Sequence, residues 1–330
     1  MFIHLPFRSV VSVFSFCLPQ FVRSRSFALT FASALSLLTF GIAQHANGQA
    51  EIAAQSEYPA INRSHNVHKM ITERFKPNHP DSVSAPAVPD SELRQLIQRA
   101  RVRFANMNSD FQDYRCVVTI HENIDGELLE PRRAKLLLRA EPFSVYMKYI
   151  SPDEIENREV VFVEGKNKNN LISNKGGRRP NLAHLTRALK IDSELAMKES
   201  DHQITEIGMG GIMEQLLDVA DVALTMPEIE IGFIQGAAID DRSCTVIEIR
   251  HEEKTPDFPF YFARVFVDDQ WEIPVRFVCY DWPTEANPTP ELLEEFTYTQ
   301  IEMNVGAKDS DFDYMNPNYG FQKKDLVFQD

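Results

Sequence analysis

A mainly β (α+β) fold built on a strongly curved antiparallel sheet is predicted for this chain by three features of its sequence. Residues 258–305 read as three aromatic-rich strands in meander order, with a polar turn at Asp268-Asp269-Gln270 and no crossover helix between the first two. Residues 114–172 hold a second series of strand-like runs joined by short turns. Along the last strand, Phe296 and Tyr298 share one face, whereas Ile301, Met303 and Val305 continue with the opposite parity. A one-residue β-bulge near Thr299-Gln300 returns all five to one face, and bulges bend strands.

In chain order, the first 50 residues hold no Asp or Glu. Arg23 and Arg25 precede an apolar run at 27–43, and small residues follow it to Ala50. This is the pattern of a secretory signal peptide over 1–50, cleaved after Ala50 or nearly as well after Gly48. The run is shorter than the roughly 20 apolar residues a bilayer span needs, so export is expected, with no stable transmembrane anchor after cleavage. Residues 51–89 are polar and dotted with proline, which reads as a disordered tether. His65, His68 and His79 fall there without cysteine or a tight cluster, so no metal-binding tail is expected.

Ordered structure is expected over 90–322, followed by a tail at 323–330. Asp90 or Ser91 can cap a helix whose apolar positions are Leu93, Leu96, Ile97, Ala100, Val102 and Phe104. Strands follow at 114–121, 133–139, 143–150, 158–164 and 171–172. The middle reads as short helices at 181–188 and 193–197, then a clearer helix opened by Gly210-Gly211 and running over 212–222. Strand character returns at 229–235 and 244–251 and leads into the meander.

Charge narrows the partners. Removing Arg8, Arg23 and Arg25 with the leader takes the net charge from −14 to −17. Such a surface repels phosphate backbones, so nucleic acid is excluded as a partner, and it lacks a broad basic face for an anionic membrane. The mature chain keeps Cys116, Cys244 and Cys279, all in strand-like runs. An odd count makes no disulfide framework, and buried free thiols are expected ahead of a bridged pair.

Motifs that carry chemistry are few. Gly208-Met-Gly-Gly211 lacks the glycine spacing of a nucleotide loop and reads as a turn into a helix. Asp309, Asp311 and Asp313 begin like a calcium loop, but Tyr314 stands where glycine is needed and Gly320 where glutamate is needed. Lys166, Lys168, Lys175, Arg178 and Arg179 form a basic cluster that could meet an anionic lipid headgroup or an acidic partner, but the soluble rim of two loops is the better account. No Gly-x-Ser-x-Gly, His-Glu-x-x-His or Ser-x-x-Lys occurs, and His121, His184, His202 and His251 are scattered. No catalytic residue, cofactor or metal is therefore predicted, although a dispersed triad assembled by folding stays open. The strongest site signal is a stripe of Met147, Tyr149, Phe162, Phe260, Phe262, Phe266, Phe277, Phe296, Tyr298 and Met303. These residues form either an ordinary core or the lining of an apolar cavity on a concave face.

Several segments resemble a bacterial secreted family, the domain of unknown function 1571: Ile204-Thr-Glu-Ile-Gly208, Ile273-Pro-Val-Arg276, Tyr280-Asp-Trp-Pro283, Phe296-Thr-Tyr-Thr299, Asn304-Val-Gly306 and Asp311-Phe-Asp313. Asp269, Pro274, Asn304 and Phe312 also look like the hairpin and last-strand positions of Lol-type periplasmic lipoprotein carriers. That resemblance implies a half-open antiparallel barrel, with the helices after Asp90 and Gly211 covering its concave face. It also implies an apolar cavity for acyl chains and supplies no catalytic residues. The expected function is an exported, cofactor-free lipid- or lipoprotein-binding carrier of the periplasm or cell envelope, whose partner is a lipid or an acylated protein. A non-lipid interaction or sensor module on the same scaffold is the alternative, and a hydrolase with a dispersed site comes third.

Overall fold

A computed structural model describes residues 90–322, except 227 and 257, together with 326–328. The expected signal peptide (1–50), the tether (51–89) and most of the expected tail (323–330) lie outside the described residues.

Helix α1 (Asp90–Asp110) buries Ile97 and Met107 and packs Leu93, Ala100 and Phe104 against the core. These residues recur at alternating four- and three-residue steps, which is one face of a helix. Val102, expected in that stripe, lies off it and is exposed. Five strands follow in hairpin order: β1 (Asp113–Ile124), the two-residue β2 (Glu127–Leu128), β3 (Arg132–Arg139), β4 (Ser144–Ser151) and β5 (Glu159–Val163). Next come β6 (Asn170–Asn174), the single-turn helix α2 (Pro180–Ala183) and β7 (Thr186–Lys190). Residues 191–208 form an irregular strap that enters α3 (Met209–Ala223). The chain returns through β8 (Glu230–Ile239), β9 (Arg242–Arg250), β10 (Phe262–Asp268), β11 (Pro274–Tyr280) and β12 (Leu292–Met303).

All strands belong to one antiparallel sheet in the order β7-β6-β5-β4-β3-β1-β12-β11-β10-β9-β8, with β2 paired to β1. Two meanders therefore meet where the first strand pairs with the last. The sheet is open, with β7 and β8 as its edges, and the strap and α3 connect one edge to the other. A single hydrophobic core takes side chains from β6 at one end to β8 at the other and from both long helices. One face of the sheet thus wraps around the helices, which cover it as expected. Within that cover α1 packs on α3, and α3 packs on β11.

The expected bulge is present. Arg115 pairs with Glu302 but Val117 pairs with Thr299, so Gln300 and Ile301 oppose Cys116 alone. Gln300 takes a left-handed backbone conformation (φ 53°) and donates its N–H to Asp240 Oδ2 at 2.7 Å. Phe296, Tyr298, Ile301 and Met303 all pack into the same core as a result. Val305 lies beyond the end of the strand.

The middle of the chain departs from expectation. Residues 186–190 are an edge strand rather than part of a helix, and 193–197 make one hydrogen-bonded turn, Met197 N–H to Ser193 O at 2.9 Å. Thr186-Arg-Ala-Leu-Lys190 has helix-forming composition, but pairing with β6 satisfies its backbone and decides its conformation.

The face away from the helices is also buried over β9–β12. There Arg264 donates from Nε and Nη2 to Glu248 Oε2 at 2.9 and 2.7 Å, and Arg276 pairs with Glu295 at 3.2 Å. The Arg264 guanidinium lies 4.9 Å from the Phe262 ring centroid and that of Arg276 lies 5.0 Å from Phe266. On the other wing, Phe321 packs with Val161, Ile172 and Ala188, and Tyr319 stacks on Tyr146 at 4.2 Å. Buried Glu159 fastens this segment by accepting from Tyr146 Oη (2.8 Å), Asn174 Nδ2 (3.0 Å) and Gly320 N–H (2.5 Å). Cys116, Cys244 and Cys279 are free and buried.

Candidate functional site

The strap does not lie flat on the sheet. Between it and the concave face is a partly open cavity of about 410 Å³, within the range of small-molecule sites. Its sheet wall alternates down the strands, so that every second residue faces inward: Met147 and Tyr149 on β4, Val160 on β5, Leu171 and Ser173 on β6, Leu189 on β7, and Phe296 and Tyr298 on β12. The opposite wall comes from Leu195, Ile204 and Ile207 on the strap and Ile212 on α3.

Two tyrosines fix the joint between strap and α3. Tyr298 Oη accepts the Gly208 N–H and Tyr114 Oη accepts the Met209 N–H, both at 3.0 Å. Two of the amides that could have met an anion at Gly208-Met-Gly-Gly211 are thus taken up by tyrosine hydroxyls. Gly208 has a positive φ (105°), and a Cβ there would meet the Tyr114 hydroxyl. A Cβ at Gly211 would overlap the Glu206 carbonyl oxygen.

Polar groups gather along one side. His202 reaches from the strap to β12, where its Nε2–H donates to Glu294 Oε2 at 2.5 Å, and Glu206 Oε2 stands 3.6 Å from Nδ1. Burial disfavours charge on this imidazole, but Glu294, Glu206 and Glu122 outweigh it and hold the pKa well above the usual histidine value. Glu122, buried on β1, pairs with Arg132 and accepts from Ser200 Oγ at 2.9 Å. Burial raises the Glu122 pKa despite the opposing pull of Arg132 and His202. Arg158 donates to Glu199 at 2.6 Å and lies 5.7 Å from the Tyr149 ring centroid. Glu122, His202 and Glu294 each offer a ligand atom within 4.8 Å of the others. A divalent ion there would have to displace the histidine proton and compete with Arg132, so the geometry favours a closed charge cluster.

Protein of unknown function (DUF1571) is the family whose model matches residues 111–321, well over half of the chain. The chain belongs to this family. The DUF1571 match spans every strand from β1 to β12 and ends at Phe321, the residue that packs the last segment onto the sheet. No curated protein matches the chain. Solved structures similar to this DUF1571 chain include the lipoprotein LppX of Mycobacterium tuberculosis, with 14% identity over 65% of this chain and 98% of that one, TM-score 0.37. Others are a LolA superfamily protein of Nitrosomonas europaea (9% identity, 66% and 97% covered, TM-score 0.28) and a DUF1329 family protein of Desulfovibrio piger (13%, 68% and 98%, TM-score 0.32).

Of the ten stripe residues, the structure brings Met147, Tyr149, Phe296 and Tyr298 to the cavity. Phe162, Phe260 and Phe277 pack in the core away from it, and Met303 packs beside Tyr114 beyond the bulge. Phe262 packs in a separate cluster with Tyr261, Val278 and Tyr280 under Arg264, and Phe266 is buried in the main core with the Arg276 guanidinium over its ring. The four positions singled out by the resemblance in the sequence are structural joints in this DUF1571 fold. Asp269 accepts from Ser243 (2.6 Å) and Thr245 (2.7 Å), and Pro274 opens β11. Asn304 bonds Gln112 N–H and Asp110 O, both at 2.9 Å, tying α1 to β12, and Phe312 is buried beneath Arg139. Asp309 pairs with Arg139, while Asp311 and Asp313 accept backbone N–H groups in turns. His184 holds the Gly320 carbonyl, and buried His251 packs on Phe258.

Sequence reasoning missed the polar side of the cavity, Arg132, Arg158, Arg187, Lys198 and Glu199, and Glu122 behind it. Arg132 was visible only through its parity with Ala134 and Leu136, and Arg187 only once 186–190 is recognised as a strand.

Proposed function

We propose that this protein is an exported, non-catalytic carrier of the cell envelope that holds the acyl chain of a lipid or an acylated protein in the cavity beneath the strap. The observation that carries this reading is the cavity itself, whose sheet wall of Met147, Val160, Leu171 and Phe296 faces the apolar strap side chains. The leader at 1–50 supports export. Among the described residues no helix is long and apolar enough to cross a membrane. Absence of catalysis draws support from His202 in the cavity lining and from Cys279 behind Glu294. Against the effect of burial, Glu294 and Glu206 engage His202 and raise its pKa, which disfavours the neutral imidazole that a general base needs. Burial, followed by Glu294, pushes the Cys279 thiol well up, which removes the thiolate a nucleophile needs.

The alternative, a non-lipid interaction module, draws support from the six stripe residues that do not line the cavity. Native mass spectrometry and solvent extraction of protein purified from its own envelope separate the two readings. A bound species with an acyl chain is expected, and its amount should fall in Leu171→Trp, which places an indole in the cavity. Protein that carries no lipid and binds no acyl probe would leave the interaction module as the better account.

A further inference from the structure

Five cations, Arg132, Arg158, Lys175, Arg187 and Lys198, line the cavity against two carboxylates, Glu199 and Glu206. Val160 pairs with Ser173, and Ser173 pairs with Arg187, across three adjacent strands. Two residues along, on the same face, come Arg158 and Lys175, close enough for Arg158 Nε–H to donate to the Lys175 carbonyl at 3.3 Å. Arg158, Lys175 and Arg187 therefore crowd one corner of the cavity, and Lys198 of the strap lines the same space. Like charges on neighbouring strands destabilise a sheet. Arg158 has Glu199 as a partner. Glu199 also acts on Lys198 beside it, and among the described residues no carboxylate lies within ion-pair distance of Lys175 or Arg187, in a chain of net charge −14. Of the other cations of the basic loops, Lys166 pairs with Asp309 and Arg178 with Asp153.

We propose that the cavity selects an amphiphile with an anionic head, a phosphate or a carboxylate, seated against Arg158, Lys175, Arg187 and Lys198 with its chain along Met147 and Leu171. This inference rests on the acyl-binding reading of the same cavity and names the class of ligand. An anion at that corner relieves the repulsion among the cations, and the guanidinium fork of Arg187 matches a two-oxygen acceptor, that of Arg158 being engaged by Glu199 and the Lys175 carbonyl. Low-dielectric walls on both sides strengthen the attraction relative to open solvent.

The test compares the fluorescent polyene fatty acid parinaric acid with its uncharged methyl ester, on wild type and on the Lys175→Gln/Arg187→Gln double variant. Both substituted positions are exposed. Wild type should hold the acid about tenfold tighter than the ester, a preference of about 1.4 kcal/mol, and the double variant should bring that ratio towards one. Added salt should weaken acid binding more than ester binding. Equal affinities in wild type, or a ratio the double variant leaves unchanged, would overturn the headgroup assignment while leaving acyl binding intact. Failure of both probes would remove acyl binding and this inference with it. Displacement of the acid by inorganic phosphate, without any ester binding, would assign the corner to free anions and overturn the amphiphile.

Discussion

His202 shows how much one residue's chemistry depends on what folding brings around it. On the strap it faces Glu206 and Asp201, from β12 Glu294, from β1 Glu122 beside Arg132 of β3, from α3 Gln215, and behind Glu294 the Cys279 thiol of β11. Its folded pKa is raised above the unfolded value. The stabilisation from its charge is thus fully present below the ordinary histidine value of about 6.5 and is lost as pH rises through the higher folded value. The stability difference between wild type and His202→Gln, measured by denaturant unfolding, should accordingly shrink as pH rises across that window. A difference that stays flat or grows would mean that His202 is not held by its carboxylates. His202 could be read in the sequence only as a scattered histidine, because Glu122 and Glu294 lie far from it along the chain.

At the scale of elements, the bulge of β12 and the edge strand β7 are instructive opposites. The bulge was legible because alternation is local. Phe296 and Tyr298 on one side of Gln300, and Ile301 and Met303 on the other, can share a core only if one residue is set aside. The edge strand was not legible, because its composition favours a helix and its partner lies outside any local window. The start of α3 is a third case. Its glycines looked like a turn, but the reason for them is the approach of the Tyr114 hydroxyl at Gly208 and of the Glu206 carbonyl at Gly211. Gly211→Ala should therefore cost about 1–3 kcal/mol through overpacking. It should also loosen the strap, seen as a lower denaturation midpoint together with faster amide exchange over 203–208. An unchanged midpoint would show that the backbone there relaxes freely.

At the scale of the whole sheet, the strap and α3 join two open edges across a concave face that they do not fill. On the acyl-binding reading, an occupant supplies the missing contacts and stabilises the fold by linkage. A ligand at 100 times its Kd contributes about 2.7 kcal/mol. At about 2–4 °C per kcal/mol for a region of this size, a delipidated sample should melt roughly 5–10 °C below one refilled with an acyl probe. Identical melting curves at saturating probe would argue against a ligand in this cavity.

By itself the sequence determined the antiparallel meanders, the bulge and the two long helices, since each follows from alternation, turn chemistry or periodicity read within a short window. Only the tertiary structure decided which aromatic residues meet a cavity and which are core. That choice depends on strand register and on where the strap leaves the sheet, and both are set by pairings between distant segments. For the same reason the cations at the cavity corner emerged only on folding. Arg158, Lys175, Arg187 and Lys198 belong to different segments of the chain, and the register of β5, β6 and β7 makes three of them neighbours.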